Sequence, residues 1–255
     1  MPAVPTVARF NLTPVKSTGL HHPEEVFLGE RGVDVDRRFL FLGPDGRRLS
    51  DVAKAPLLGI RARYDQESER LSLEFPDGTW CEGDAAALGD LVLVALFDRE
   101  VKARPVLGPF SEASSAYAGR DVALARVEAP ESADGSHRTS LVSVASVEDL
   151  ARRGGRSAVD ARRFRMLVEV DGCEPYQEDR WSGRRIGLGD AVVRVGPSIP
   201  RCVVTTLNPD SGERDFPTLA VLANYRKHED GLMFGVYGDV ERPGTVRVGD
   251  PIELV

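Results

Sequence analysis

The chain has 255 residues, 42% hydrophobic and 29% charged, which suffices for one large β-rich domain or two medium ones. A net charge of −7 argues against a general nucleic-acid binder, while arginine far outnumbers lysine and leaves room for a local anion pocket. Three widely spaced cysteines without zinc or CxxC spacing, no charged-then-apolar leader and no long apolar run argue against a disulfide framework and a membrane span, so a soluble, cytoplasmic protein is expected.

In chain order, "TVARFNL" and "RRFLFLG" read as apolar strands, with "PDGR" as the turn after the second. "RLSLEF" alternates and "PDGT" turns it back, so residues 70–82 are expected to form a hairpin. "DLVLVALF" and "EVKARPV" follow as strands. "GPFSEASSAYAGR" reads as a short helix closed by Gly119, and "VALARVE" as another strand. Residues 129–139, "APESADGSHRT", are polar and small with Pro and Gly, and are the best linker candidate.

"SVASVEDLARRGG" is the clearest helix. Ser146 is the expected N-cap with Asp149 three residues on, Arg152 and Arg153 suit the last turn, and Gly154 and Gly155 stop it. "RMLVEV", "RRIGLGDAVVRVG", "RCVVTTL" and "GTVRVGDPIELV" return to strand, with one more helix at "TLAVLANYRKH". Frequent short strands with few helices suggest a mainly β protein built of β-barrels with peripheral helices.

Most chemical motifs are missing. No Gly-rich phosphate loop opens a helix, no G-x-S-x-G elbow occurs, and His21, His22, His137 and His228 lack metal-ligand spacing. The carboxylate pairs Glu24–Glu25 and Glu178–Asp179 read as solvated surface. Two features rise above this background. Lys16-Ser17 follows Pro14 at the end of the first strand, with Asp36-Arg37-Arg38 opening the second; alone, each reads as a charged strand end. Arg201-Cys202 places a thiol beside a cation, which suits a soft-metal ligand or a nucleophile, although a strand cysteine is also simply small core.

"VARFNLTPVKSTG", "GVDVDRRFLFLGPDGRRLS", "SVASVEDL", "DARRFR", "EPYQEDRW", "IGLGDAVVRV", "RCVVTTLNPDSG", "TLAVLANYR", "FGVY" and "PGTVRVGD" occur in an order that resembles the MOSC-domain family, the molybdenum-cofactor sulfurase C-terminal family. The nearer relatives in that family are the amidoxime-reducing proteins of mitochondria and their bacterial counterparts. The resemblance implies an N-terminal β-barrel region over 1–128, a linker over 129–139 and a MOSC domain over 140–255. It implies a molybdenum cofactor (molybdenum held by molybdopterin) with Cys202 as catalytic metal ligand. It carries over Lys16, Ser17, Arg37 and Arg165 as cofactor contacts and places Ser146 in a segment lining the site. For Arg201 three roles stay open: tuning the thiolate, holding a cofactor oxygen, or facing a carboxylate. Asn208 and Asp210 read first as turn-makers and second as part of a substrate mouth. The chain departs from the family where Met166-Leu167 stands for Pro-Asn, Thr18 for a cysteine, and Ser50-Asp51 for an arginine.

The function so implied is reduction of small N-hydroxylated substrates. Because no iron–sulfur or flavin motif is visible, a separate electron donor of reductase, ferredoxin or cytochrome type is expected. Two other readings use the same residues: a carrier of the cofactor or of a persulfide on Cys202, and a barrel scaffold that has lost its cofactor.

Overall fold

The structure is a computed structural model and describes residues 4–47, 49, 55–96, 99–128 and 137–255. Its largest sheet closes almost completely on itself. In spatial order it runs Thr6–Phe10, Val168–Asp171, Thr139–Ser143, Gly231–Arg242, Ala191–Pro200, Arg185–Leu188 and Ile252–Leu254. The last strand returns to the first: Ile252 donates to the Pro5 carbonyl at 2.7 Å and Val7 to that of Asp250 at 2.9 Å. Closure removes most of the free edge that a twisted sheet would otherwise expose. Pairing is antiparallel except between Thr139–Ser143 and Val168–Asp171, which run parallel, with the helix Val144–Arg153 between them in the chain. A parallel pair needs such a crossover.

Both faces of this sheet are covered. Inside lie Phe10, Leu141, Val168, Val170, Ile186, Val193 and Val236. Outside, Val142, Leu150, Phe164, Met166, Phe216, Leu222 and Phe234 form a second cluster beneath the helices. Each large side chain removed from water here is worth about 1.5–3 kcal/mol. Double coverage explains why "SLVSV" and "MLVEV" read as near-continuous apolar runs.

The segment from Phe39 to Val127 forms a four-stranded antiparallel sheet and the three-stranded sheet Arg61–Asp65, Arg70–Glu74 and Trp80–Asp84. One apolar cluster, with Phe39, Leu57, Leu71, Leu73, Phe110 and Leu124, binds the two sheets to the helix Phe110–Ala118. That helix and the hairpin of residues 70–82 form as expected, and Gly119 closes the helix in the left-handed region at φ 63°.

Hydrogen bonding crosses the sequence midpoint. Thr6–Phe10 belongs to the closed sheet, and Glu25–Leu28 pairs with Gly244–Arg247. A division near 129–139 therefore splits the sequence but not the sheets; of that linker candidate, 129–136 lie outside the described residues, and Thr139 already starts a strand.

Three local expectations change. "RCVVTTL" is not a strand: the preceding strand ends at Pro200, and Val203–Thr206 form a 3-10 turn. The Thr205 and Thr206 hydroxyls donate to the carbonyls three residues back, of Cys202 and Val203, at 2.9 and 2.7 Å. This local bonding overrides the β preference of branched residues. The N-cap of Val144–Arg153 is Ser143, whose hydroxyl accepts from the Ser146 amide at 3.0 Å, so the cap lies three residues before the expected one. The last helix is shorter than "TLAVLANYRKH", ending at Ala223, after which Lys227–His228 pair with Gly231–Arg242.

Candidate functional site

Among the described residues, five other than glycine have a positive φ: Ser17 (71°), Arg37 (50°), Glu69 (52°), Arg165 (54°) and Tyr176 (62°). Three of these are residues that the sequence singled out. Side chains in that region cost energy and persist only where the surroundings hold them.

Each of the three sits in a turn that aims charge at the next. At Val15–Thr18 the Thr18 amide donates to the Val15 carbonyl at 3.3 Å, with Ser17 in a position that usually requires glycine. The buried Thr13 and Thr18 hydroxyls, 2.7 Å apart, both donate to the Val15 carbonyl and fix the turn. Lys16, half-buried, anchors it through its amide on the Phe39 carbonyl at 2.7 Å.

Arg37 follows the buried Asp36, whose carboxylate accepts from the Thr13 amide at 3.0 Å and from the Arg37 guanidinium. The left-handed kink sends neighbouring arginines apart. Arg37 reaches the Arg165 carbonyl at 2.8 Å, whereas burial and the nearby Arg126 lower the pKa of Arg38 on the side of Tyr64 and Glu69. Arg165 in turn donates to the Thr18 carbonyl at 2.7 Å. Among the described residues Arg165 forms no ion pair. Burial first, and the Arg37 guanidinium second, pull its pKa down to about 9. Two guanidiniums with one buried carboxylate between them leave positive charge that an anion would neutralise.

The cysteine joins this clasp through the turn that ends in Arg165. Arg201 donates to the Phe164 carbonyl at 3.2 Å and to that of Phe234 at 2.6 and 2.7 Å, and its guanidinium lies 5.6 Å from the Phe164 ring centre. Cys202 follows in extended backbone at the start of the 3-10 turn and is exposed. Hydrogen bonds thus link the Val15–Thr18 turn, Arg37, the Arg165 turn and Arg201, with Cys202 next in the chain.

Ser146 is not among them. Fully buried, its hydroxyl donates to Glu178 at 2.8 Å, accepts from the Tyr176 amide at 2.7 Å and meets the Ser143 hydroxyl at 2.7 Å. The anion at this helix N-terminus is Glu178, from the chain itself, which also accepts from the Ser143 amide at 3.2 Å. Glu178 is therefore buried and not solvated surface, and desolvation pushes its pKa up. Asp179 does reach the edge, pairing with Arg226 at 2.7 Å.

The remaining expectations are placed plainly. Asn208 makes its turn by accepting from the Asp210 and Ser211 amides, and Asp210 pairs with Arg162 at 2.6 Å. In place of Pro-Asn, the Met166 carbonyl accepts from the Asn11 side chain at 2.9 Å, and the Met166 sulfur lies 2.7 Å from Arg201 Nη2. Ser50-Asp51 lie outside the described residues. Asp36, named in the sequence beside Arg37, joins this assembly; Thr13 and Arg163 carry no sequence signal beyond lying three residues before Lys16 and two before Arg165.

Among the described residues no group of three or more His, Cys, Asp or Glu could hold a metal ion. One exposed thiol, with Arg165 free of ion pairs among the described residues, instead fits a metal that arrives with its own ligands on an anionic organic group. No helix is long and apolar enough to cross a membrane among the described residues.

The family model described as MOSC domain matches residues 132–253. Mitochondrial amidoxime reducing component 2 of Rattus norvegicus is 38% identical over 122 residues, which are 44% of this chain and 35% of that protein. Molybdenum cofactor sulfurase of Oryza sativa subsp. japonica is 28% identical over 265 residues, 88% of this chain and 31% of that protein. The chain thus spans about a third of the length of these curated relatives. Among solved structures, the YUAD protein from Bacillus subtilis aligns with a TM-score of 0.50 at 13% identity, covering 99% of this chain and 96% of that one, a likeness of fold.

Proposed function

Residues 132–253 are a MOSC domain, and from that premise we propose that the chain is a molybdenum-cofactor oxidoreductase that reduces small N-hydroxylated compounds such as amidoximes or hydroxylamines. One observation carries the reading. Three left-handed residues, Ser17, Arg37 and Arg165, lie in turns tied together by hydrogen bonds, Arg201 ties the segment of the exposed Cys202 to the same turn, and Arg165 has no ion pair among the described residues. Left-handed residues of this kind, each costing about 1–3 kcal/mol, cluster at binding sites.

In this reading Cys202 supplies a thiolate to molybdenum. Lys16, Arg37 and Arg165 hold the phosphate of the pterin, with Ser17 beside it; Asp36 keeps Arg37 aimed and screens part of its charge. The bound cofactor supplies the two-electron chemistry that removes the substrate oxygen. The protein's own part is to fix the thiolate relative to the cationic cradle, because misplacement of about 1 Å is costly in such sites. The electrons come from a separate reductase, ferredoxin or cytochrome-type donor. The working division is an N-terminal region to 128 and a MOSC domain from 140, with a cytoplasmic location.

The test is expression in a host that makes the cofactor, followed by molybdenum and pterin analysis and turnover of benzamidoxime with reduced methyl viologen. Loaded wild type and an empty, inactive Cys202→Ala variant are expected. Wild type free of molybdenum and pterin, or Cys202→Ala with undiminished turnover, sinks the reading. Exposure of Cys202 favours a second reading, a carrier that hands on cofactor or a persulfide sulfur. Cofactor-loaded protein with no turnover, and a sulfur adduct on Cys202 by mass spectrometry, would select it.

A further inference from the structure

We propose that Arg163 and Arg201 form a reciprocal clamp that sets the position of the Cys202 sulfur relative to the Arg37–Arg165 cradle, both acting as positioning residues. This rests on the cofactor reading above.

Arg163 belongs to the turn that carries Arg165, and it grips the segment that carries the cysteine. Only 4% exposed, it donates from Nη1 to the carbonyls of Thr205 at 3.1 Å and Leu207 at 3.4 Å. It also pairs with Asp215 through both terminal nitrogens, at 3.1 and 3.2 Å, and donates from Nε to the Asp160 carbonyl at 3.2 Å. Arg201 runs the other way: it sits next to Cys202 and grips the Phe164 carbonyl, one residue before Arg165. Cys202 is therefore bracketed. Arg201 ties its N-terminal side to the Arg165 turn, and Arg163 ties its C-terminal side to the same turn.

The links from clamp to sulfur are short. Thr205, held by Arg163, donates through both its amide (3.2 Å) and its hydroxyl (2.9 Å) to the Cys202 carbonyl. The Thr218 hydroxyl secures the same Thr205 carbonyl at 2.6 Å. Lysine would keep the charge at either position but lacks the planar fork that meets several acceptors at once. Burial leaves the Arg163 side chain no route to a ligand, so its effect on the site runs through backbone.

Amide hydrogen exchange on purified protein tests the clamp, because it reads local opening separately from global unfolding. In Arg163→Lys the Thr205 and Leu207 amides, across the clamp, should exchange about tenfold faster, as loss of about 1.4 kcal/mol would give. In Arg201→Lys the Arg165 amide, which donates to the Arg162 carbonyl, should do the same. Coupling between two segments is reciprocal, so each substitution must be felt on the other segment. Arg126→Lys, in the N-terminal region on Glu69, is the control and leaves both segments unchanged. Changes confined to the substituted segment, or an equal rise across the closed sheet, overturn the clamp.

Molybdenum per chain should fall severalfold in both clamp variants while wild type is loaded. Faster exchange with full molybdenum loading overturns the positioning role. If wild type itself carries no molybdenum, the cofactor reading fails while the exchange data still decide the clamp. If Arg163→Lys does not fold, Arg201→Lys read at Arg165 decides it alone.

Discussion

Two polar centres among the described residues, one at Ser143–Glu178 and one at Arg37–Arg165, are opposites. At Ser143, Ser146 and Glu178 a carboxylate from the chain occupies the helix N-terminus, and serine hydroxyls and backbone amides surround it. At Ser17, Arg37 and Arg165 the backbones are held in the left-handed region, the two arginines are cationic, and the Arg165 guanidinium meets the Thr18 carbonyl. The first centre answers its own charge and acts as architecture. The second answers Arg37 with Asp36 but leaves Arg165 without an ion pair among the described residues.

Substitutions can break this contrast. The largest effect is expected for Cys202→Ser, which should empty the site of molybdenum and cut benzamidoxime turnover by more than about 100-fold, beyond the usual effect of an outer-shell residue. Metal analysis and rate measurement on protein of unchanged melting temperature check it. Next comes Arg165→Met. Removing one charge-assisted contact of about 1.5–3 kcal/mol should weaken pterin retention roughly 10- to 100-fold. Because the charge is buried without an ion pair among the described residues, the melting temperature should hold or rise. A fall in melting temperature with full pterin retention would make Arg165 architectural too.

A smaller effect tests the other centre. Burial raises the pKa of Glu178, so the folded protein holds an extra proton between the ordinary carboxylate value and the raised one. Stability is then present below that window and is lost as pH rises through it, by up to about 1.4 kcal/mol per pH unit. Glu178→Gln mimics the protonated form, so it should flatten this slope and leave the cofactor in place. Denaturant melts of both proteins across the acid-to-neutral range decide it. The smallest effect is expected at Ser17→Gly, where relief of the left-handed strain should raise stability by about 1 kcal/mol in denaturant melts. No gain in stability would mean that the turn is not strained.

How much of this was legible depended on how local the cause was. The hairpin at "RLSLEFPDGT", the helix ended by Gly119 and the covered strands were set by turn chemistry and side-chain period, and they appear where expected. Cys202 and its neighbours were legible as chemistry but not as conformation, because threonine back-bonding competes with strand propensity and the sequence shows both. Ser146 was placed at a helix start, three residues late, because Ser143 and Ser146 offer the same hydroxyl and only the chain's path into the turn chooses between them. Glu178 beside Asp179 looked like surface, since neither period nor propensity reveals which of two adjacent carboxylates turns inward.

By itself the sequence determined the fold class and the residues worth examining, because these follow from hydrophobic period, turn residues and an ordered set of motifs; the central strand Gly231–Arg242 was not read from it. Only the tertiary structure decided which charges face one another. Arg37 and Arg165 stand 128 residues apart in the chain, and Arg37 and Arg38, adjacent in sequence, face different parts of the molecule. Electrostatic partnership depends on distance in space and on water removed by burial, and the linear order of residues encodes neither.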